Sequence, residues 1–165
     1  MFHSRRFSAI AAALLLAGII MTAACRSGSA PMNVTLVRAF ATSYTAAWCS
    51  QNPAQVASFF AEDGSLTING GTPSVGRPAI AASAQAFMTA FPDLVVRMDA
   101  LDAADEGFVY RWTLIGTNTG PGGTGRRVQI SGYEEWTLGP GPQIVRSLGH
   151  FDAADYQRQL DGGGR

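Results

Sequence analysis

The spacing of apolar residues changes along the chain, from a helical period to a period of two. Over residues 32–48, apolar side chains recur at three- to four-residue intervals, which predicts an amphipathic helix. Asn52 and Pro53 are a capping residue and a first-turn proline, so they predict a second helix, which ends at residues 62–64. A third helix is predicted over residues 77–91, before a proline that cannot continue it.

From residue 94 onward, apolar and polar residues alternate. This pattern predicts strands over residues 95–101, 108–117, 126–138 and 143–151, with Gly- and Pro-containing turns between them. A short strand over residues 65–68, a loop over residues 70–75 and a C-terminal helix over residues 153–160 complete the pattern. Three helices followed by a mostly antiparallel sheet form an α+β fold. A strongly curved sheet packed around the helices would make a cone-shaped fold whose mouth can hold a ligand.

The first 25 residues have the organisation of an export signal. Arg5 and Arg6 precede an apolar run over residues 10–21, and the small residues Thr-Ala-Ala follow before Cys25. We therefore predict a signal peptide over residues 1–24. Cys25 resembles the acylated cysteine of bacterial lipoproteins, which implies a flexible tether over residues 25–31 and a membrane-anchored protein on the extracytoplasmic side. An ordinary cleaved signal and an uncleaved anchor, which would just span a bilayer, are the alternatives.

Composition argues against several classes of partner. Without the predicted signal, ten arginines face twelve acidic residues, a formal charge of −2. Arg126 and Arg127 are then the only adjacent basic pair, which disfavours nucleic-acid binding. The two cysteines and two histidines of the sequence cannot be assembled into a metal-ligand cluster, so we expect no metal. No cofactor motif is visible, and we expect no cofactor.

Several short motifs resemble the SnoaL-like polyketide cyclases of the nuclear transport factor 2-like superfamily, over about residues 34–160. The motifs are FPDL at residues 91–94, GTNTG at 116–120, TGR at 124–126, HFD at 150–152 and YQRQL at 156–160. The resemblance implies one domain over residues 32–160, and the Gly-rich end of the sequence predicts a disordered tail over residues 161–165. The resemblance also implies a homodimer, paired through the outer sheet face at Arg111, Thr113, Ile115, Gln129, Ser131 and Tyr133.

The same resemblance implies roles for three residues. These cyclases use an Asp near the end of the last strand as acid and base in an aldol closure, and Asp152 occupies that position. Where those cyclases have the His of a G-T-H-x-G motif, this sequence has Asn118. Asn cannot transfer a proton near neutral pH. His150, two residues before Asp152, could take that proton role. Alternatively, Asp152 only caps the C-terminal helix and His150 is a core or surface residue.

Strand alternation predicts the walls of the pocket. Tyr110 and Trp112 share a face with Asn118, and His150 shares one with Asp152. On the strand over residues 126–138, we expect Glu134 and Trp136 to face inward. The alternative is that Tyr133 and Glu135 do. The helices add aromatic residues, so the predicted ligand-binding residues are Tyr44, Trp48, Phe59, Phe87, Tyr110, Trp112, Glu134 and Trp136. An inward Glu134 could instead pair with an arginine of a neighbouring strand, namely Arg97, Arg111 or Arg146.

Two functions fit this pattern. The first is an exported, lipid-anchored domain that binds a small hydrophobic molecule in its pocket without catalysis. The second is a cyclase- or isomerase-type enzyme that uses Asp152 as general acid and base on a carbonyl substrate. Burial in an apolar cone would raise the pKa of such a carboxyl, which suits a base that removes a proton next to a carbonyl group. Because the family histidine is replaced, we expect the first function.

Overall fold

The computed structural model describes residues 33–162. The predicted signal peptide, the acylation site at Cys25, the tether and the last three residues of the predicted tail lie outside the described residues. The elements in chain order are α1 (Val34–Cys49), α2 (Pro53–Ser58), β1 (Phe60–Ile68), β2 (Ser74–Val75), α3 (Arg77–Ala90), β3 (Val95–Ala104), β4 (Gly107–Thr117), β5 (Arg127–Leu138), β6 (Ile144–Phe151) and α4 (Ala153–Asp161).

The strands form one mixed sheet in the order β2-β1-β6-β5-β4-β3. All neighbours pair antiparallel except β1 and β6, which are parallel. Helix α1 packs against β3, and α2 packs against α3. The register shifts within the β3–β4 pair, between Met98 and Ala100, and irregularities of this kind bend a strand. The predicted α+β fold, with N-terminal helices on a mostly antiparallel sheet, is confirmed.

Helix boundaries are the main departure from the sequence prediction. Helix α2 ends at Ser58, although apolar spacing predicted helix as far as residues 62–64. Phe60 instead begins β1, where it is fully buried and pairs with Ile144 of β6. Tertiary pairing therefore overrides the local helical pattern. The predicted loop over residues 70–75 contains the two-residue strand β2, and Asp161, predicted in the tail, is the last residue of α4.

Two of the family-like motifs hold one corner of the fold together. The Asp93 carboxylate accepts hydrogen bonds from the backbone N–H and the hydroxyl of Thr117, at 2.6 and 2.7 Å. Gly116 packs against Phe91, where a Cβ atom would lie 3.0 Å from the Phe91 Cβ. A side chain at Gly120 would collide with the backbone carbonyl of Thr89. These residues fasten the end of α3 to the end of β4.

Asp93→Ala is expected to lower the free energy of unfolding by about 1 kcal/mol, because an exposed carboxylate makes hydrogen bonds of modest net value. The two Thr117 hydrogen bonds hold the pKa of Asp93 below its usual range. Their stabilisation is therefore present above the carboxyl pKa of the unfolded chain and is lost as the pH falls through the lower folded value. Urea unfolding at neutral and at stepwise lower pH should show a weaker acid dependence in the variant. Asp105→Ala, in the β3–β4 turn, is the control, and an unchanged acid dependence in Asp93→Ala would contradict the assignment.

Candidate functional site

A half-open pocket lies between the inner face of the sheet and helices α1 and α3. Its cavity volume is about 50 Å³, several times the ~15 Å³ that one water molecule needs. The wall is almost entirely apolar, and Glu134 is the only carboxyl group among the lining residues. These are Trp48, Leu66, Ile68, Phe87, Val96, Tyr110, Trp112, Leu114, Glu134, Gly149 and Phe151.

The pocket depends on two glycines of the inner sheet face. Gly149 of β6 pairs with Glu134 of β5, and a Cβ atom there would lie 3.8 Å from the Glu134 Cγ, an ordinary contact. Gly132 of β5 pairs with Trp112 of β4, and a Cβ atom there would lie only 2.6 Å from the Trp112 Cζ2. The missing side chains leave room for the indole of Trp112 and for the space beside Glu134.

The Glu134 side chain is held by three donors from three different elements. Glu134 Oε2 accepts hydrogen bonds from Ser147 Oγ at 2.6 Å, Trp136 Nε1 at 2.8 Å and Tyr44 Oη at 3.2 Å. The three donor residues are buried, and Glu134 itself is 6% exposed. Glu134 Oε1 has only the same Tyr44 hydroxyl, at 3.3 Å. One oxygen is therefore fully engaged, and the other keeps capacity for a further partner.

Burial dominates the electrostatics of this site. Desolvation raises the pKa of Glu134, and the hydrogen bonds from Ser147, Trp136 and Tyr44 oppose that rise. Desolvation and the neighbouring carboxylate also raise the pKa of Tyr44. The pKa of Tyr110 is raised as well, mainly by burial. Both phenols therefore stay protonated near neutral pH.

The alternative that Glu134 pairs with an arginine is wrong. None of the ion pairs found in residues 33–162 includes Glu134, and Arg111 pairs instead with Asp102, at 3.1 Å, where both side chains are more than half exposed. Tyrosine, tryptophan and serine are the groups that hold the Glu134 carboxyl, so it has hydrogen-bond donors but no counter-ion.

Two further polar groups border the pocket. The Tyr110 hydroxyl lies 2.7 Å from Thr45 Oγ1, which itself donates to the Ala41 carbonyl at 2.8 Å. The Thr45 oxygen is thereby left to accept from Tyr110, so this hydroxyl is already bound. The indole Nε1 of Trp112 is buried and has no hydrogen-bond partner among the described residues.

Five of the eight predicted ligand-binding residues line the pocket: Trp48, Phe87, Tyr110, Trp112 and Glu134. Tyr44, Phe59 and Trp136 do not, which corrects the prediction for these three. The Tyr44 ring packs edge-to-face on Phe59 at 5.5 Å and on Trp136 at 5.2 Å, so the three rings fill the core beside the pocket. Tyr44 and Trp136 act on the site through their hydrogen bonds to Glu134 instead.

The structure does not bring Asp152, His150 and Asn118 together in the pocket, so the predicted site formed by these three residues is wrong. Asp152 is exposed and caps α4, where its carboxylate accepts from the Asp155 N–H at 2.8 Å. His150 stacks on Tyr133, with ring centroids 4.8 Å apart. Asn118 donates to the Ala90 carbonyl at 3.2 Å and accepts from the Thr124 N–H at 2.8 Å. The cap alternative for Asp152 is confirmed.

A bulge in β6 explains the error in orientation. Leu138 pairs with Ile144 and Thr137 pairs with Arg146, so Val145 is an extra residue in β6. The extra residue inverts the alternation that follows it, and Ser147, Gly149 and Phe151 face inward instead of Leu148 and His150. Sequence reasoning therefore missed Phe151 and Gly149. It also missed Leu66, Ile68 and Val96. Their strands were predicted, and the alternation of apolar residues in those strands could have placed them on the inner face.

Within residues 33–162, no group of three or more His, Cys, Asp or Glu side chains is placed to hold a metal ion. Over the same residues, no helix combines the length and the apolar character needed to cross a membrane.

A family model described as SnoaL-like polyketide cyclase matches residues 38–160. The chain belongs to this family. Among curated proteins, none matches the sequence of this SnoaL-like chain.

Solved structures share the fold of this SnoaL-like protein. A hypothetical protein of ketosteroid isomerase-like fold from Catenulispora acidiphila, in complex with trimethylamine, has a TM-score of 0.66 and 17% identity, over 74% of this chain and 92% of that one. TsrD from Streptomyces laurentii has a TM-score of 0.68 and 19% identity, over 78% and 97%. SalBIII, an epoxide hydrolase/cyclase-like enzyme of pyran ring formation in salinomycin, has a TM-score of 0.62 and 18% identity, over 72% and 92%. At these identities the likeness shows the fold alone.

Glu134→Gln is expected to flatten the pH dependence of stability. Because burial raises the folded pKa of Glu134, the unfolded chain releases this proton first as the pH rises. Wild-type stability should therefore fall from the ordinary carboxyl pKa upward through the folded value. Glutamine keeps an oxygen that can accept from Ser147 and Trp136 but carries no charge. Urea unfolding over a pH series measures how the free energy of unfolding changes with pH in the wild type and in Glu134→Gln.

Glu135→Gln is the matched control, because Glu135 is the exposed neighbour on the same strand. Its slope should equal that of the wild type. An equal slope in Glu134→Gln as well would contradict the raised pKa.

Proposed function

We propose that this SnoaL-like protein binds a small, mostly apolar molecule in its pocket, with the Glu134 carboxyl as the polar anchor. The observation that carries the proposal is an apolar cavity with a single carboxyl among its lining residues, the usual composition of a small-molecule site. The trimethylamine complex of the relative from Catenulispora acidiphila supports a small ligand.

Proton transfer by Glu134 is the second candidate function. It is favoured by the incomplete hydrogen bonding of Oε1 in a carboxyl whose pKa is raised by burial. Oε1 would take a proton from a carbon next to a carbonyl group and later return it to the product, as in a cyclase or isomerase. The family match and the cyclase-like relative SalBIII support this chemistry. Glu134 then has the acid–base role that the sequence suggested for Asp152.

The location and assembly of the protein form a separate part of the proposal. Export, acylation of Cys25, an extracytoplasmic membrane location and a homodimer through the outer sheet face are supported by the sequence pattern and the family resemblance. Expression of the full chain in a bacterium fed labelled palmitate should label the wild type. Cys25→Ser should remain unlabelled, and Cys49→Ser is the control that should keep the label. An unlabelled wild type would contradict acylation.

Gly149→Val is expected to abolish ligand binding. Position 149 accepts a Cβ atom at ordinary contact distances, and the two additional methyl groups of valine would occupy the pocket. Valine also suits a strand, so the fold should persist. Ligand-observed NMR with a mixture of small apolar compounds should detect binding to the wild type and not to the variant, with circular dichroism to check folding.

Asp152→Asn is the matched control, because asparagine is also a good helix cap and position 152 is exposed. It should bind as the wild type does. Undiminished binding by Gly149→Val would contradict the proposed site. Mass spectrometry of bound carbonyl compounds after incubation in D2O tests the proton transfer, because a returned solvent deuteron adds mass, and this gain should disappear in Glu134→Gln and persist in Asp152→Asn.

A further inference from the structure

We propose that the group recognised by the pocket is a small methylated ammonium, either free or as the head of a larger molecule. This inference rests on the proposed function, since it names the ligand class of the same pocket. Three properties of the pocket lead to it: its aromatic wall, its single carboxyl group and its scarcity of hydrogen-bond acceptors.

Aromatic rings reach the pocket from both layers of the fold. Trp48 of α1 and Phe87 of α3 meet edge-to-face with centroids 6.2 Å apart. Trp112 of β4 and Phe151 of β6 do the same at 6.4 Å. Tyr110 adds a fifth ring to the wall. The faces of such rings carry negative electrostatic potential and attract organic cations, most strongly in sites from which water is removed.

The only acidic group in this wall has no positive partner. Among the lining residues there is no arginine, lysine or histidine. The donors on Glu134 Oε2 are neutral hydroxyl and indole groups, and they stabilise the ionised carboxylate without cancelling its charge. A ligand cation would supply the missing positive charge in a region of low dielectric constant, where a charge pair is stronger than in water.

The scarcity of hydrogen-bond acceptors selects among cations. A primary ammonium has three N–H donors and would lose its hydrogen bonds to water on entering an apolar wall. The Tyr110 hydroxyl donates to Thr45 and keeps only its acceptor capacity, so Glu134 Oε1 and the Tyr110 oxygen are too few acceptors for three N–H groups. A methylated ammonium presents methyl groups to the wall and needs no acceptors. A neutral apolar molecule would fit the wall equally well but would leave the Glu134 charge uncompensated.

The test compares choline with 3,3-dimethylbutan-1-ol, a neutral molecule of the same shape in which carbon replaces the charged nitrogen. Titration calorimetry on the folded protein, at a pH above neutrality, should give wild-type choline affinity at least tenfold higher than that of the neutral alcohol. Glu134→Gln should reduce the affinity for choline at least tenfold more than it reduces that for the alcohol. Gly149→Val should bind neither, and Asp152→Asn should bind both as the wild type does.

Each outcome separates the ligand class from the site. If the alcohol binds the wild type as well as choline does, and Gly149→Val loses it, the inference fails while the proposed pocket stands. If choline is preferred but Glu134→Gln keeps the preference, the charge is recognised elsewhere and the inference fails. If the wild type binds neither of these probes nor any compound of the apolar mixture, the proposed function fails with it.

Discussion

The burial of one carboxyl group is the constraint on which this structure depends. Glu134 lies on the central part of the sheet, and its Oε2 receives hydrogen bonds from α1, from its own strand and from β6. A buried carboxyl without such donors would cost several kcal/mol, so Tyr44, Trp136 and Ser147 are fixed in place as much as Glu134 is. The same contacts attach the first helix to the sheet and leave Oε1 as the oxygen with spare capacity.

The pocket follows from what surrounds this carboxyl. Aromatic side chains fill the core on one side, where Tyr44, Phe59 and Trp136 pack edge-to-face. On the other side, Gly149 leaves a space that no side chain occupies. A carboxyl group that is costly to bury therefore borders an apolar cavity. Such a combination is typical of a binding or catalytic site and is less typical of a purely structural carboxyl.

The fold was more predictable from the sequence than the site. Period-two alternation located β3, β4, β5 and β6, and on β4 and β5 it also gave the correct inward residues, Tyr110, Trp112 and Glu134. On β6 a single extra residue, Val145, inverts the alternation, and nothing in the local pattern marks it. The acid–base roles that the family resemblance implied for Asp152 and His150 required these two side chains to face the pocket.

Asn118 illustrates a different limit of sequence reasoning. Its side chain joins the Ala90 carbonyl to the Thr124 N–H, so it shapes a corner between α3 and the β4–β5 hairpin. Asn118 lies in a motif to which the family resemblance gave a catalytic role, yet here its side chain holds two backbone segments together. The donors to Glu134 come from α1, β5 and β6, and Tyr44 lies 90 residues away in the sequence, so only the folded chain shows that they converge.

The two glycines of the inner sheet face also constrain how this pocket can diverge among homologues. Any side chain at position 132 would collide with the backbone carbonyl of His150 as well as with the indole of Trp112, so glycine should be retained at position 132 whatever residue occupies position 112. Position 149 has room for a Cβ atom and can vary independently. Ligand size can therefore evolve through position 149 without disturbing the sheet, whereas position 132 is restricted by the backbone of the neighbouring strand.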